Sequence, residues 1–477
     1  MRGSRILLIA VWLCVASPAL ATFPQEGDVP QDSRVFFVDE TKLPFDEVPG
    51  FPSTRYWGID NGAGFRIEVP ANWNGDLVAY THGYRGNGAE LTVDNPPLRV
   101  YFLANGYAWL ASSYSKNYYD VRAGVESTNS LVRYFKKNIG EPGRTFITGF
   151  SMGGHVIGAA IEMFPNVACP AGPLQNLCIR LAEALGKLSG GVRYVGAAPF
   201  CGVMGDTELF NYFGDVTYGA ETLAGVTSHF PPPADYVTST LLPTLAALYT
   251  NPDALFTGNG TDANLNAQGL KLRSLTTQIS GGPRPLADTA FRFFQQLLFS
   301  FAGADGTIDG IVSGNVYDNA HPPRVYQLDA DPAISAEEQA FNDTIIRISR
   351  DPFANPPELL RVRRIPIITG RLDIPVVSTH TTGDLFVPFS MEQIYAREAA
   401  SLGRSQNLVS RATRAIGHCE FSAQELVESF GDMVNWVNTG VRPGGDDILD
   451  PAVVAAPLFG CNYSRGTTAS RPLAPCP

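Results

Sequence analysis

Basic residues are the minority here. The 477-residue chain has 35 Lys and Arg against 46 Asp and Glu, a formal charge of −11 at pH 7. A surface of that sign repels phosphate backbones, so a nucleic-acid partner is not expected. No apolar run is long enough to cross a bilayer, so no stable membrane span is expected. Histidine is scarce, with six residues, and no CxxC or His-rich spacing occurs. The stretch Asp305-Gly-Thr-Ile-Asp309-Gly310 resembles a Ca²⁺ loop only faintly and lacks the full ligand spacing. Neither a metal nor a cofactor is therefore expected. Charged residues make up only 17% and apolar residues 44%, which is the composition of a globular chain and not of a disordered one. With 47 Gly and 36 Pro, the chain suits many turns and long loops better than a helical bundle.

The N-terminus reads as an export signal. Arg2 and Arg5 precede the apolar run Ile6 to Ala16, and Ala19-Leu20-Ala21 offers small residues for cleavage after Ala21. A secreted or periplasmic location follows as an expectation. Cleavage would remove Cys14 and leave Cys169, Cys178, Cys201, Cys419, Cys461 and Cys476. An even number in an exported protein suggests disulfides. Cys169 with Cys178 and Cys461 with Cys476 close short loops, which leaves Cys201 with Cys419. Both of the latter fall at ends of strands that share one edge of a parallel sheet. Sequons occur at Asn259, Asn342 and Asn462.

Beyond residue 21 the pattern alternates between strand and helix. Strand-like runs are Thr54 to Asp60, Phe65 to Val69, Asp76 to Thr81, Tyr107 to Ser112, Arg144 to Gly149 and Arg193 to Phe200. Between them, Pro97 to Ala104, Val121 to Asn138 and Met152 to Phe164 read as helices, and Lys136 and Lys137 suit a helix C-terminus. The alternation breaks over residues 203–364, which are rich in turn residues and carry helical segments such as Asp288 to Phe299 and Ala336 to Arg350. It resumes with strands at Ile374 to Ser378 and Leu408 to Ala412 and a last helix at Ser422 to Val437. Such alternation predicts an α/β fold with a mostly parallel sheet covered on both faces. The expected organisation is a signal peptide (1–21), a core in two parts (22–202 and 365–440), an inserted lid (203–364) and a C-terminal tail (441–477).

Gly149-Phe150-Ser151-Met152-Gly153 matches G-x-S-x-G. The motif is weak on composition alone, but here a strand leads into it and a helix leaves it, as a nucleophile elbow requires. The alternative is a small-residue turn with no chemistry. A hydroxyl nucleophile needs a base, and the base needs an orienting acid. His418, between the last strand and the last helix, stands where chain order Ser…Asp…His puts the base. Asp384 follows the strand that begins near Ile374 and is the preferred acid, with Asp373, before that strand, as runner-up. His155 belongs to the helix behind the elbow, and His380 to a strand. His82-Gly83-Tyr84 follows an early strand, so the amides of Tyr84 and Met152 are the candidate oxyanion hole, with His82 as scaffold.

In this order, HGY, GFSMGG, TTGDLFVP and GHCEF resemble an α/β-hydrolase-fold serine hydrolase, over about Arg55 to Val203 and Pro366 to Asn438. The chain looks most similar to secreted bacterial-type esterases and lipases with Cys after the catalytic His. Tannases and feruloyl esterases share that Cys but also carry Cys beside the nucleophile, where this chain has Phe150 and Met152. The resemblance implies the triad Ser151, Asp384 and His418 and the hydrolysis of a small-molecule or polymeric carboxylic ester. A serine peptidase on the same fold and a non-catalytic binding protein are the rival readings. In the insertion, Ala290 to Ala302 is unusually aromatic and is either an apolar wall for substrate or the lid's own core. Because the triad lies outside the insertion, the lid is expected to govern substrate choice more than reactivity.

Overall fold

The computed structural model describes residues 35–163, 190–256, 264–357, 361–466 and 476. The expected signal peptide, the Cys169–Cys178 pair and Asn259 lie outside these residues. A short parallel pair, β1 (Phe37–Val38) with β5 (Glu90–Leu91), stands apart from the main sheet. That sheet contains β2 (Ser53–Asp60), β3 (Ala63–Pro70), β4 (Asp76–Thr81), β6 (Ala108–Ser112), β7 (Arg144–Phe150), β8 (Gly196–Phe200), β9 (Val376–Thr381) and β10 (Leu408–Thr413). Their spatial order is β10-β9-β8-β7-β4-β6-β3-β2. β3 runs antiparallel to both of its neighbours, β2 and β6, and every other pairing in the sheet is parallel. The β2–β3 hairpin turns on Asn61-Gly62, both at positive φ, the pair that a two-residue turn with right-handed twist demands. β4, β6, β8 and β9 are buried at every position, because helices cover both faces of the parallel part.

On one face lie α2 (Val121–Asn138) and α3 (Met152–Glu162), and on the other α1 (Arg99–Ala104) and the last long helix, α10 (Ala423–Thr439). Local chemistry sets their ends. Asp120 caps α2 through the Ala123 amide, Lys136 and Lys137 close its last turn, and Ser422 with Glu425 forms a capping box on α10. Between β8 and β9 the insertion contributes α4 (Glu208–Ala224), α5 (Leu242–Leu248), α6 (Ala267–Ile279), α7 (Ala287–Ser300) and α8 (Ala336–Thr344). α8 stops six residues short of the expected Arg350. Ile345 turns extended there, and Ile345 and Ile348 are buried in the core instead of continuing a helical face. α9 (Ser390–Ser401) follows β9. This is the α/β-hydrolase fold with a large insertion. Among the described residues no helix is long and apolar enough to cross a membrane.

Two buried glutamates show how this core treats charge. Glu68 on β3 is fully buried, yet Ser53, Arg99 and the Trp109 indole all donate to it. Glu392 on α9 is as deeply buried, but only the Ser378 hydroxyl donates to Oε1, at 2.6 Å, and Oε2 has no partner. Burial pushes the Glu392 carboxyl up to about 7.

A carboxyl whose folded pKa is raised binds more protons folded than unfolded, so its stabilisation is full below about pH 4.5 and is lost as pH rises toward 7. Glu392→Gln should therefore reduce the fall in unfolding free energy between pH 5 and pH 8 by about 2 kcal/mol. Denaturant melts at the two pH values measure this, and an unchanged pH dependence would contradict it.

Candidate active site

The end of β7 is crowded. A Cβ on Gly149 would stand 1.9 Å from Thr81 Oγ1, and one on Gly153 would stand 2.3 Å from the Thr81 carbonyl oxygen. Glycine is thus required on both sides of the turn because β4 passes against it. Between the glycines, Ser151 takes φ 58° and ψ −122°, a conformation that costs energy for a residue with a side chain. Backbone bonds brace it. Its amide donates to the Phe200 carbonyl at 3.0 Å, and its carbonyl accepts from Gly154 at 2.8 Å and Val203 at 3.2 Å. The strain holds the Ser151 side chain at the C-terminal edge of the sheet, over the start of α3.

At the same edge the loops after β9 and β10 are joined through their backbones: Thr382 donates to Thr413 and Gly383 to Ala415. That pairing brings Asp384 and His418 together. His418 Nδ1 donates to Asp384 Oδ2 at 2.6 Å, and the Ser151 hydroxyl donates to His418 Nε2 at 2.8 Å. Asp384 is fully buried, and its Oδ1 accepts the amides of Phe386 (2.9 Å) and Val387 (3.0 Å), so both carboxylate oxygens are engaged. The runner-up Asp373 precedes β9 and pairs with Arg404 instead. His155 is buried, accepts from Tyr119 and donates to the Pro366 carbonyl, and burial pushes it down to about 4. His380 is also buried and donates to the Thr381 carbonyl; burial lowers its pKa.

Gly83 packs directly on the serine: a Cβ there would stand 3.0 Å from Ser151 Cβ and 3.5 Å from Oγ. Tyr84 lines the cavity into which Ser151 opens, and Met152 is the first residue of α3. His82 is a scaffold. Burial, helped by the neighbouring Arg85 charge, pushes its pKa down to about 3. Its Nδ1 lies 2.6 Å from the Gly83 carbonyl oxygen and 3.1 Å from Arg85 Nε, its Nε2 lies 3.0 Å from the Ser113 carbonyl oxygen, and the ring stacks on Tyr114 at 3.8 Å.

Cys201 and Cys419 form a disulfide, with Cα atoms 5.2 Å apart across 218 residues of sequence, and Cys461 pairs with Cys476. The first bridge ties the residue after His418 to the end of β8. Cys201, His418 and Cys419 are close enough to one another for a shared metal, but the bonded sulfurs leave no thiolate to bind one.

The cavity over Ser151 measures about 1080 Å³. Of the two readings of the aromatic stretch, burial in the insertion's own core is the one observed. Of the aromatic stretch Ala290 to Ala302, Phe291, Phe294 and Phe299 are buried in the insertion's own core, and only Phe301 faces the cavity. The wall comes from α4 (Phe210, Phe213, Tyr218), from Phe230 to Pro233, from the 303–310 loop and from Phe386. Phe213 stacks on Phe301 at 4.3 Å, Phe301 lies parallel to Phe386 at 5.9 Å, and Phe386 meets the His418 ring edge-on at 5.0 Å. Phe386 belongs to the TTGDLFVP motif and was within reach of sequence reasoning; Phe213 carried no signal.

The insertion also bonds to the acid loop. The Tyr212 hydroxyl on α4 donates to the Leu385 carbonyl at 3.1 Å, and Arg284 Nε donates to the Thr382 carbonyl at 2.6 Å.

No family model and no curated protein matches the chain. Solved structures similar to it include feruloyl esterase B from Aspergillus oryzae, at 14% identity and TM-score 0.39, covering 84% of each chain. An esterase from Thermogutta terrifontis matches at 14% identity and TM-score 0.32, covering 82% of this chain and 91% of that one. An esterase from Pyrococcus furiosus matches at 12% identity and TM-score 0.35, covering 84% and 94%. Likenesses this distant assign no reaction or substrate.

Non-reducing peptide mapping of the purified protein should recover one peptide linking Cys201 to Cys419. A link from Cys201 to any other cysteine, or two free thiols, would contradict the pairing.

Proposed function

We propose that the protein is a secreted or periplasmic serine hydrolase of carboxylic esters, with Ser151 as nucleophile, His418 as base and Asp384 as orienting acid. The observation that carries the reading is the unbroken chain of hydrogen bonds from Asp384 through His418 to Ser151, with its serine end opening into a large cavity. Ser151 Oγ attacks the ester carbonyl while His418 Nε2 takes its proton. Asp384 fixes the tautomer with Nδ1 protonated and stabilises the imidazolium. The amides of Tyr84 and Met152 receive the oxyanion, supported by the position of Gly83 against Ser151 and by the helix start at Met152. His418 then protonates the leaving alcohol, the acyl group stays on Ser151, and water repeats the cycle on the acyl-enzyme. Nucleophile, base and oxyanion donors all come from the chain, so this cycle calls for no cofactor.

The cavity favours a class of ester. It is at the large end for a small-molecule site and is walled by rings. Among the described lining residues there is no Lys or Arg, and the only charged ones are Asp305 and Asp309. An anionic substrate would find no counter-charge there. The reading is an uncharged ester with a bulky apolar or aromatic group, which residues 203–364 enclose as a cap. Nucleic acid has no place in it.

Ser151 should be the serine labelled by a fluorophosphonate, and Ser151→Ala should abolish labelling while leaving the melting profile intact. Asp384→Asn should stay folded and lose turnover on the order of 10⁴, because the amide favours the wrong His418 tautomer. Full labelling of the alanine variant, or near-normal turnover of Asp384→Asn, would refute these roles.

A panel of neutral esters graded by size should show kcat/KM rising from acetates to bulky aryl and polycyclic esters, with esters of anionic acids poor. Aminoacyl amides run beside them test the peptidase alternative. Hydrolysis of the amides without hydrolysis of the esters would replace the proposed function.

A further inference from the structure

Arg284 lies in the turn between α6 and α7, far in sequence from the proposed catalytic residues, and its side chain is buried. Its guanidinium donates to three neutral acceptors: the Thr382 carbonyl through Nε at 2.6 Å, the Gly282 carbonyl through Nη1 at 2.8 Å and Ser280 Oγ through Nη2 at 3.1 Å. None of these is a carboxylate. A buried cation held only by neutral oxygens is expensive unless a counter-charge lies near. Burial lowers the Arg284 pKa, and Tyr212 on α4 and Asp384, two residues beyond the carbonyl that Arg284 holds, act against that lowering. The turn is also bonded to the start of α9, which follows that loop, since Ser390 donates its amide to the Ser280 carbonyl and Gln393 donates to the Gly281 carbonyl.

We propose that Arg284 is a positioning residue for the proposed triad: it holds the acid loop by the Thr382 carbonyl and supplies the buried positive charge that balances Asp384. The inference rests on the triad reading given above. Its consequence is that the insertion, besides walling the cavity, contributes to the charge around the Asp384–His418 pair. The other titratable groups facing this pair are His380 on β9, Tyr212 on α4 and, on the His418 side, Glu420, whose carboxylate accepts the Gly417 amide. Removing the Arg284 charge makes the surroundings of the Asp384–His418 pair more negative. Protonation of the pair then becomes easier, and the acidic limb of any His418-dependent reaction moves to higher pH.

The probe is the rate of fluorophosphonate labelling from pH 4 to pH 9. In that reaction Ser151 Oγ bonds to phosphorus, the P–F bond breaks, fluoride leaves and His418 takes the hydroxyl proton, so no knowledge of the substrate is needed. Arg284→Met should slow labelling at the plateau roughly tenfold through loss of the hold on the loop, and raise the acidic limb by about half a pH unit or more. Arg284→Lys keeps the charge and loses the fork; it should be slower at the plateau but keep the wild-type limb. A folded Arg284→Met with wild-type rate and limb overturns the proposal. If the Met variant does not fold, the Lys variant decides: a slowed plateau with an unmoved limb supports it, and a wild-type plateau or a displaced limb overturns it. Ser151→Ala and Asp384→Asn run alongside separate the two levels. If either labels at the wild-type rate, the triad reading fails and takes this inference with it. If both are impaired while the Arg284 variants behave as wild type, the inference alone fails.

Discussion

The constraint on which the site depends is the contact between β4 and β7 at their C-terminal ends. Thr81 leaves no room for a side chain at Gly149 or Gly153, so both must be glycine, and Ser151 stands in the tight turn between them. The turn is strained, and it persists because the Phe200 carbonyl from β8 and the amides of Gly154 and Val203 hold the Ser151 backbone from both directions. The same crowding brings Gly83 against the serine. Nucleophile placement and the candidate oxyanion loop are therefore two results of one close approach of strands.

The insertion adds a second set of buried charges. Asp215 on α4 accepts from the hydroxyls of Tyr317 (3.0 Å) and Tyr326 (2.7 Å) and from Arg324 (3.2 Å), and burial still pushes its carboxyl up to about 6. Tyr317 also lines the cavity. Part of the cavity lining is thus set by a polar network inside the insertion, and part by Phe386 from the acid loop. The aromatic stack Phe213–Phe301–Phe386 crosses from one to the other, so the insertion and the core meet through packed rings as well as through the bonds of Tyr212 and Arg284.

What could be read from the sequence was whatever local geometry dictates. Strand–turn–helix around G-x-S-x-G marked the elbow, because only that order presents a serine at a strand end. Strand polarity separated Asp384 from Asp373: in a parallel sheet the residue after β9 lies on the Ser151 edge and the residue before it does not. The same polarity, together with the two short-range pairs, pointed to Cys201 and Cys419. Illegible were the contacts that bond backbone oxygen. Arg284 and Tyr212 act on carbonyls of residues about 98 and 173 positions away, and a carbonyl has no side-chain signature. The aromatic stretch before Ala302 left two readings open for a related reason, since periodicity marks a face as apolar without saying which surface it meets.

The proposed base is held from several directions by interactions of different kinds. The Cys201–Cys419 bridge fixes the residue after His418 covalently to β8. Phe386 packs edge-on against its ring. Asp384 anchors Nδ1 and is itself fixed by two amides of its own loop, while Tyr212 and Arg284 fix the carbonyls of Leu385 and Thr382 in that loop. A side chain that must accept a proton from Ser151 and return it to a leaving group has to keep its orientation through both steps. Rotation about its own bonds is opposed by packing, and drift of its loop is opposed by the disulfide. Drift of its partner is opposed by hydrogen bonds from an element inserted between β8 and β9. Because the last of these comes from the element that also walls the cavity, a change in how the insertion packs would alter the Asp384 loop along with the shape of the space above Ser151.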